Sequence, residues 1–389
     1  MNDVRVSPGK SVLPVLFPFL LTRVLIFIVF LFASGLRFDT PVQELGDRIQ
    51  EPMISLRESG LVQKLSNKVL NADALWYADI ARNGYEYQPF DSTKEHNWAF
   101  FPLFPLILGL VGKITGEYGL TGSILSNVFF LLAMLQLYKL VIKLGYTPED
   151  AERTLFYLAA FPGSYFFSLP FTESLFLLLS VSCFLAAKNE AWWLAGLCGG
   201  LAAATRVTGL CLFPVLVLLY WQRHRTVDVR ILALLLIPAG IVPYMIFLHR
   251  VTGNALAFLD VQTAWGHSIG FFMRPIWDYI KSPLDINFRW DFRFLNFLAA
   301  VLAFVCGAVM LRRKQWAFAT YTLLCVIIPL SAMRLQSLTR YIMIAFPIFI
   351  LLAEAGRSLR MDQIIRTVFI FVLGVMTLLF ALHFSMAMS

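Results

Sequence analysis

Long apolar runs recur along the whole chain, and they leave it few places to fold other than a lipid bilayer. They cover residues 12–34, 121–144, 151–169, 173–187, 191–205, 207–221, 229–249, 292–311, 316–332, 341–355 and 364–384. Backbone polar groups that face lipid must be satisfied within their own segment, so each run reads as a helix. Several fall short of the roughly 20 residues a perpendicular crossing needs, and tilt or flanking residues make up the length. Of the 389 residues, 59% are hydrophobic and 14% charged, about half the charge that a soluble domain carries. The expected fold class is an all-α polytopic membrane protein with about 11 transmembrane helices, residues 1–389 forming a single integral membrane domain.

One apolar segment stands apart. Residues 100–111, FFPLFPLILGLV, are short and carry Pro102 and Pro105; proline removes a backbone donor and disturbs a helix interior. The segment reads as re-entrant. Orientation supports this. With the N-terminus inside and 100–111 not crossing, Lys139, Lys143, Lys188, Arg223, Arg225, Arg230, Arg312, Arg313, Lys314, Arg357 and Arg360 all fall on the inner side, the positive-inside pattern. Counting 100–111 as a crossing would move Arg223 and Arg225 outside. The C-terminus is then outside. The run at 12–34 exceeds the roughly 7–15 apolar residues of a signal peptide, so it reads as an uncleaved first span.

Two long segments lie on the outer side. Residues 36–120 form the first outer loop, with the re-entrant segment and polar helical stretches at 41–57 and 61–71 suited to the interface. Residues 251–291 form the second. The formal net charge of +8 does not mark a nucleic-acid binder, because its basic residues sit in short inter-helix loops rather than in a patch. The five cysteines (Cys183, Cys198, Cys211, Cys306 and Cys325) all sit in apolar runs without metal-ligand spacing and read as small hydrophobes. No metal or cofactor is expected.

The polar residues that remain gather on the outer side. Asp73 precedes a stretch with Trp76, Tyr77, Tyr85 and Tyr87; a carboxylate walled by aromatics suits a general base, and equally a helix N-cap, while Asp79, Glu86 and Asp91 nearby could serve as the base as well. His96 and Trp98 open the HNWAFFPLFP segment, a ledge beside a cleft or a plain hairpin. Glu173, after Thr172, begins a run at the outer membrane edge, where an acid complements a helix dipole or, being costly at membrane depth, serves function. Arg206 in ATRVTG and Arg340 in LQSLTRYIMIAFP, with Arg334 six residues earlier, could snorkel or bind a phosphate. In DVQTAWGHS, Gln262, Trp265 and His267 suit a sugar ring or an interfacial anchor.

Taken in order, DALWYADIARNGY, AFFPLFPLIL, FFSLPFTESLFLLLS, AAATRVTGL, VQTAWG and TRYIMIAFPIFILLA resemble the GPI mannosyltransferase II (PIG-V) family and its prokaryotic relatives, within the GT-C class of membrane glycosyltransferases. The chain departs from the family pattern at Ala72, where a tryptophan usually precedes the aspartate. The resemblance implies a GT-C-like fold and a metal-independent, inverting transfer of a sugar, mannose being the expected one. The donor is a polyprenyl-phosphate sugar and the acceptor a hydroxyl of a glycan or glycolipid on the outer or luminal face. It implies Asp73 as base, Glu173 as a second catalytic acid orienting the sugar or an arginine, and Arg206 and Arg340 as donor-phosphate ligands. Tyr77, Tyr85, His96, Trp98, Gln262 and Trp265 are the expected substrate contacts. Membrane lipids and an accessory subunit are among the expected partners; nucleic acid is not. The location is a plasma membrane in a prokaryote or the endoplasmic reticulum in a eukaryote. The alternatives are a lipid or sugar-lipid transporter and a non-catalytic scaffold; a transporter should hold ionisable residues near the span centres, and here Arg23, Glu354 and Arg366 read as lying towards helix ends.

Overall fold

The computed structural model describes residues 13–35, 60–226, 228–283 and 293–382. Among the described residues every regular element is helical. The expected interfacial helix at 41–57 lies outside them.

The chain opens with α1 (Leu13–Gly35), then α2 (Leu61–Val69), α3 (Asp73–Asn83), α4 (Leu103–Thr115), α5 (Gly119–Lys143), α6 (Pro148–Ala160) and α7 (Glu173–Lys188). It continues through α8 (Trp192–Ala203), α9 (Leu212–His224), α10 (Leu236–Ala239), α11 (Val242–Thr252) and α12 (Ala257–Asp260). The last part holds α13 (Arg274–Lys281), α14 (Arg293–Arg312), α15 (Trp316–Leu330), α16 (Leu338–Ile342), α17 (Pro347–Ala355) and α18 (Leu359–Ala381). Among the described residues, five stretches are long and apolar enough to cross a membrane: α1, α5, residues Val229–Thr252, α14 and α18. At about 1.5 Å per residue, the 23 residues of α1 reach past the roughly 30 Å hydrocarbon core. Helices α4, α8 and α15 are shorter and apolar.

α7 forms the centre. Most of its residues are buried, and it packs between α5 and α8. The outer surface is apolar where it would meet lipid: Phe17, Val24, Phe27, Ile28 and Phe32 of α1 are all more than half exposed. Exposed apolar faces this long do not occur on soluble monomers. α8 meets α10 and the 3-10 turn Val229–Leu235 before it at backbone distance, since a Cβ added to Gly240, just after α10, would lie 2.0 Å from the Gly200 carbonyl oxygen, and one at Gly196 would lie 1.9 Å from that of Ala233 in the turn. Such small-residue contacts let membrane helices approach closely.

Proline accounts for three departures from the expected runs. The 151–169 run is not one helix: α6 stops at Ala160, Phe161-Pro162-Gly163 turns the chain, and a 3-10 turn follows over Ser164–Ser168. The 100–111 segment is not broken by its prolines. Pro102 caps α4 and Pro105 sits in its first turn, where the missing N–H has no intrahelical partner to lose. The 341–355 run divides likewise, α16 ending at Ile342 before Pro347 starts α17.

Arg23 also differs from expectation: it lies midway along α1 rather than near an end. It is buried, with its guanidinium over the Phe130 ring at 4.8 Å. Its nitrogens donate to the Thr22 hydroxyl, the carbonyl of Ala159 at the end of α6, the Ser164 carbonyl and the hydroxyls of Ser164 and Ser168. A guanidinium has five donors, and all five are taken. Arg23 therefore ties α1 to the turn leading towards Glu173 and lines no permeation path.

Candidate active site

The site begins with local backbone geometry. Ala72 occupies φ +52°, ψ −132°, a conformation costing about 1–3 kcal/mol for a residue with a Cβ. The Asn71 side chain accepts from the Ala72 N–H at 2.9 Å, fixing the bend. Ala72, not Asp73, is the N-cap of α3, and no side chain caps that helix. The Asp73 carboxylate is thus released from capping and turns to Arg340, whose Nη1 donates to Asp73 Oδ2 at 2.6 Å. Asp73 keeps 36% of its side chain exposed, Arg340 only 7%.

Arg340 reaches inward as well. Its Nε donates to Glu173 Oε1 at 2.5 Å, and its guanidinium lies over Phe171 at 4.6 Å and Phe166 at 5.1 Å. Glu173 is fully buried. Its Oε1 also accepts from Arg206 Nη1, while that nitrogen donates to the Thr172 hydroxyl at 2.9 Å. Thr172 is therefore not capping α7 through its side chain but holding Arg206. Among the described residues, Glu173 Oε2 is buried without a hydrogen-bond partner. Two carboxylates and two guanidiniums thus share one network in an otherwise apolar interior, the pairing that makes buried charge tolerable.

Each member is held by its own segment. Arg206 is in extended backbone between α8 and a 3-10 turn, Val207–Cys211. Arg340 stands on the short α16, whose start is fastened by Asn296 of α14: Asn296 Oδ1 accepts from the Thr339 N–H at 3.1 Å and its hydroxyl at 3.2 Å. Tyr77 is buried one turn after Asp73, edge-on to Phe100 and Phe104. Burial raises its phenol well above the ordinary 10, while Arg206, Asp73, Glu173 and Arg340 all act on it electrostatically. It stays protonated and faces the network as a neutral hydroxyl.

Trp265 and Gln262 come from the 3-10 turn Val261–Trp265 that follows α12. Trp265 meets Trp76 and Phe100 edge-on, each at 6.1 Å, so the turn closes over α3. Gln262 Oε1 accepts from His267 Nδ1 at 2.9 Å. Burial and Arg334 lower the His267 pKa below 6.5, with Asp73 opposing, so His267 is within electrostatic reach of the site.

The other expected substrate contacts are drawn elsewhere. The Tyr85 hydroxyl donates to the Phe100 carbonyl at 2.6 Å, and Tyr244 donates to the same carbonyl and to that of Trp98. Trp98 is fully buried and donates to the Glu86 carbonyl; His96 stacks on it at 4.2 Å and meets Glu86 through Nδ1. Tyr85, His96 and Trp98 shape the 84–100 loop and do not join the ion network. Conversely, Trp76, His267, Asn296 and Arg334 belong to the site's surroundings. Asn296 had a legible signal, an amide inside an apolar run.

The sequence profile of a family described as Mannosyltransferase (PIG-V) matches residues 14–227, more than half of the chain. The matched part contains Asp73, Glu173 and Arg206 and ends before Gln262, Trp265 and Arg340. The chain is similar to GPI alpha-1,6-mannosyltransferase 2 of Rattus norvegicus, 31% identical over 169 residues, 40% of this chain and 33% of that protein. It is similar to GPI mannosyltransferase 2 of Cryptococcus neoformans, 34% identical over 154 residues, 36% of this chain and 34% of that protein. These matches span about a third of the curated relatives' length. Among solved structures, the Archaeoglobus fulgidus oligosaccharyltransferase in its apo form overlays on 94% of this chain and 55% of that one, with a TM-score of 0.44 at 14% identity.

Proposed function

The chain belongs to the mannosyltransferase (PIG-V) family, and from that premise we propose that it moves a mannosyl group from a polyprenyl-phosphate donor to an acceptor hydroxyl on the non-cytoplasmic face of its membrane. The observation that carries this reading is the half-open Asp73 carboxylate resting on Arg340, itself anchored on buried Glu173.

In the proposed reaction Asp73 takes the proton of the acceptor hydroxyl. The acceptor oxygen attacks the anomeric carbon from the face opposite the phosphate, and configuration inverts. The bond from the anomeric carbon to the phosphate oxygen breaks, with its electron pair leaving on the phosphate. That phosphate needs charge stabilisation rather than a proton, which preorganised guanidiniums supply. Glu173 keeps the arginines aligned, and Trp265 with Trp76 offers apolar faces to the sugar. The lipid tail enters sideways from the bilayer. Partners in this reading are the lipid-linked sugar and a glycan or glycolipid acceptor. The membrane is the plasma membrane of a prokaryote or the endoplasmic reticulum of a eukaryote.

Purified protein given labelled polyprenyl-phosphate mannose and an acceptor extract tests the reaction. Transfer by the wild type and its loss in Asp73→Asn are expected; no transfer by a folded wild type would remove the assignment. Sidedness has a separate test in accessibility labelling near Arg225 and near Asp73. Both reacting from one side would defeat the outward-facing site.

A further inference from the structure

The buried network is already balanced, Asp73 and Glu173 against Arg206 and Arg340. A phosphate arriving there finds no uncompensated charge. Arg206 is held through Nη1 by both Thr172 and Glu173, whereas Arg340 is the arginine that touches the half-open Asp73 carboxylate. Arg340 is engaged through Nε and Nη1, and among the described residues no hydrogen bond occupies its Nη2.

Arg334 differs. Its side chain makes one long contact, 3.4 Å to Gln336 Oε1, and among the described residues no carboxylate pairs with it. Its position is nevertheless defined. Gly266 sits at φ +67°, and a Cβ there would come within 2.4 Å of Arg334 Nη2, so the guanidinium lies directly over the Trp265–Gly266–His267 turn. The two strips are joined again further on, where the Gly270 N–H donates to the Ser331 carbonyl at 2.9 Å and Met333 packs over Gly270. The turn under Arg334 carries Trp265, which touches α3, and His267, which feels both Arg334 and Asp73. A positioned, exposed and uncompensated cation therefore stands at the rim onto which Asp73 opens.

We propose that Arg334 is the primary ligand of the donor phosphate, with Arg340 Nη2 as the second, and that Arg206 serves to hold Glu173. The inference rests on the lipid-phosphate reading above and moves the phosphate outward from the buried network to its rim. A guanidinium suits the task because it can give two parallel hydrogen bonds to phosphate oxygens.

The test is equilibrium binding of farnesyl phosphate to the purified full-length protein, read by tryptophan fluorescence, with farnesol and inorganic phosphate in parallel. The wild type should bind farnesyl phosphate at least tenfold more tightly than farnesol. Arg334→Gln should abolish that preference with farnesol binding unchanged, and Arg334→Lys should keep part of it. Arg274→Gln, an exposed arginine of the same loop, should behave as wild type. A preference that survives in Arg334→Gln would overturn the assignment, as would a wild type that does not distinguish the two lipids. Full displacement of farnesyl phosphate by millimolar inorganic phosphate would assign the rim to free phosphate and overturn the donor role; no displacement supports it. Binding is measured without turnover, so failure of mannosyl transfer is registered separately.

Discussion

Arg340 and Asp73 stand 267 positions apart in the chain and 2.6 Å apart in space. Through the same guanidinium Glu173 is tied to both. The start of α3, the start of α7 and the segment after α15 are thereby joined at one point. No one of them holds the site alone.

Replacing Asp73 by Asn keeps a hydrogen-bond acceptor for Arg340 and removes the proposed base. Transfer should fall by about 10²–10⁴-fold, with thermal stability near that of the wild type. Arg340→Lys should fail differently. An ammonium on a flexible stem does not reproduce the planar fork that reaches both carboxylates, so stability and transfer should decline together. Melting curves alongside transfer rates separate the two behaviours.

Glu173 is the network's buried counter-charge. Glu173→Ala leaves Arg206 and Arg340 facing each other in an apolar surround, and about 3–5 kcal/mol of stability should be lost. A thiol-reactive dye can follow the melting transition, because Cys183, Cys198, Cys211, Cys306 and Cys325 are all buried and free. The double variant Glu173→Gln with Arg206→Gln should recover part of the loss; no recovery would mean that the two side chains are not coupled.

The α8–α10 crossing gives a prediction independent of the site. Gly240→Ala puts a methyl group 2.0 Å from the Gly200 carbonyl oxygen, and overpacking of this kind costs about 1–3 kcal/mol. Gly374→Ala in α18 meets nothing within 4 Å and should be neutral or gain up to about 1 kcal/mol from helix propensity. Paired melting curves of the two variants check this.

At the start of α6, Asp150 completes a capping box with Thr147 and accepts from Arg357 at 2.7 Å and Arg153 at 2.9 Å. Arg357 above all holds the Asp150 carboxyl below its ordinary 3.8 against the opposing effect of burial. Since the folded pKa is depressed, this stabilisation is complete above about pH 3.8 and fades as pH falls through the folded value. Asp150→Asn should cost about 1–3 kcal/mol at pH 7 and flatten the acid limb of stability. An unchanged limb in that variant would put the acid sensitivity elsewhere.

Much of the site was legible in the residues because charge is scarce in this chain. Asp73, Glu173, Arg206 and Arg340 stood out against apolar runs, and the structure gathers all four. Tyr85, His96 and Trp98 stood out equally, and the structure places them in the 84–100 loop outside the ion network. Pro102 and Pro105 looked like a break in one dimension, whereas in space they fill the first turn of α4, where proline is harmless. Asn296 and Arg334 depend on partners far along the chain: Asn296 lies 43 residues before Thr339, and Arg334 rests on the turn at Gly266. Spacing alone cannot reveal such contacts.

The saturated guanidinium of Arg23 has a consequence for the order in which the chain is built. Its main partners, Ala159, Ser164 and Ser168, lie 136 to 145 residues downstream. At about 5–20 residues per second of synthesis, roughly 7–27 s pass before the first of them is made. During that interval α1 sits in the bilayer with an arginine at its middle that costs about 2.5–3.5 kcal/mol on insertion scales. The helix is kept there by its leucines, phenylalanines and isoleucines, individually worth only about 0.3–0.6 kcal/mol each. Arrival of the 159–168 turn converts a loosely seated helix into a docked one, and translation itself sets when that happens.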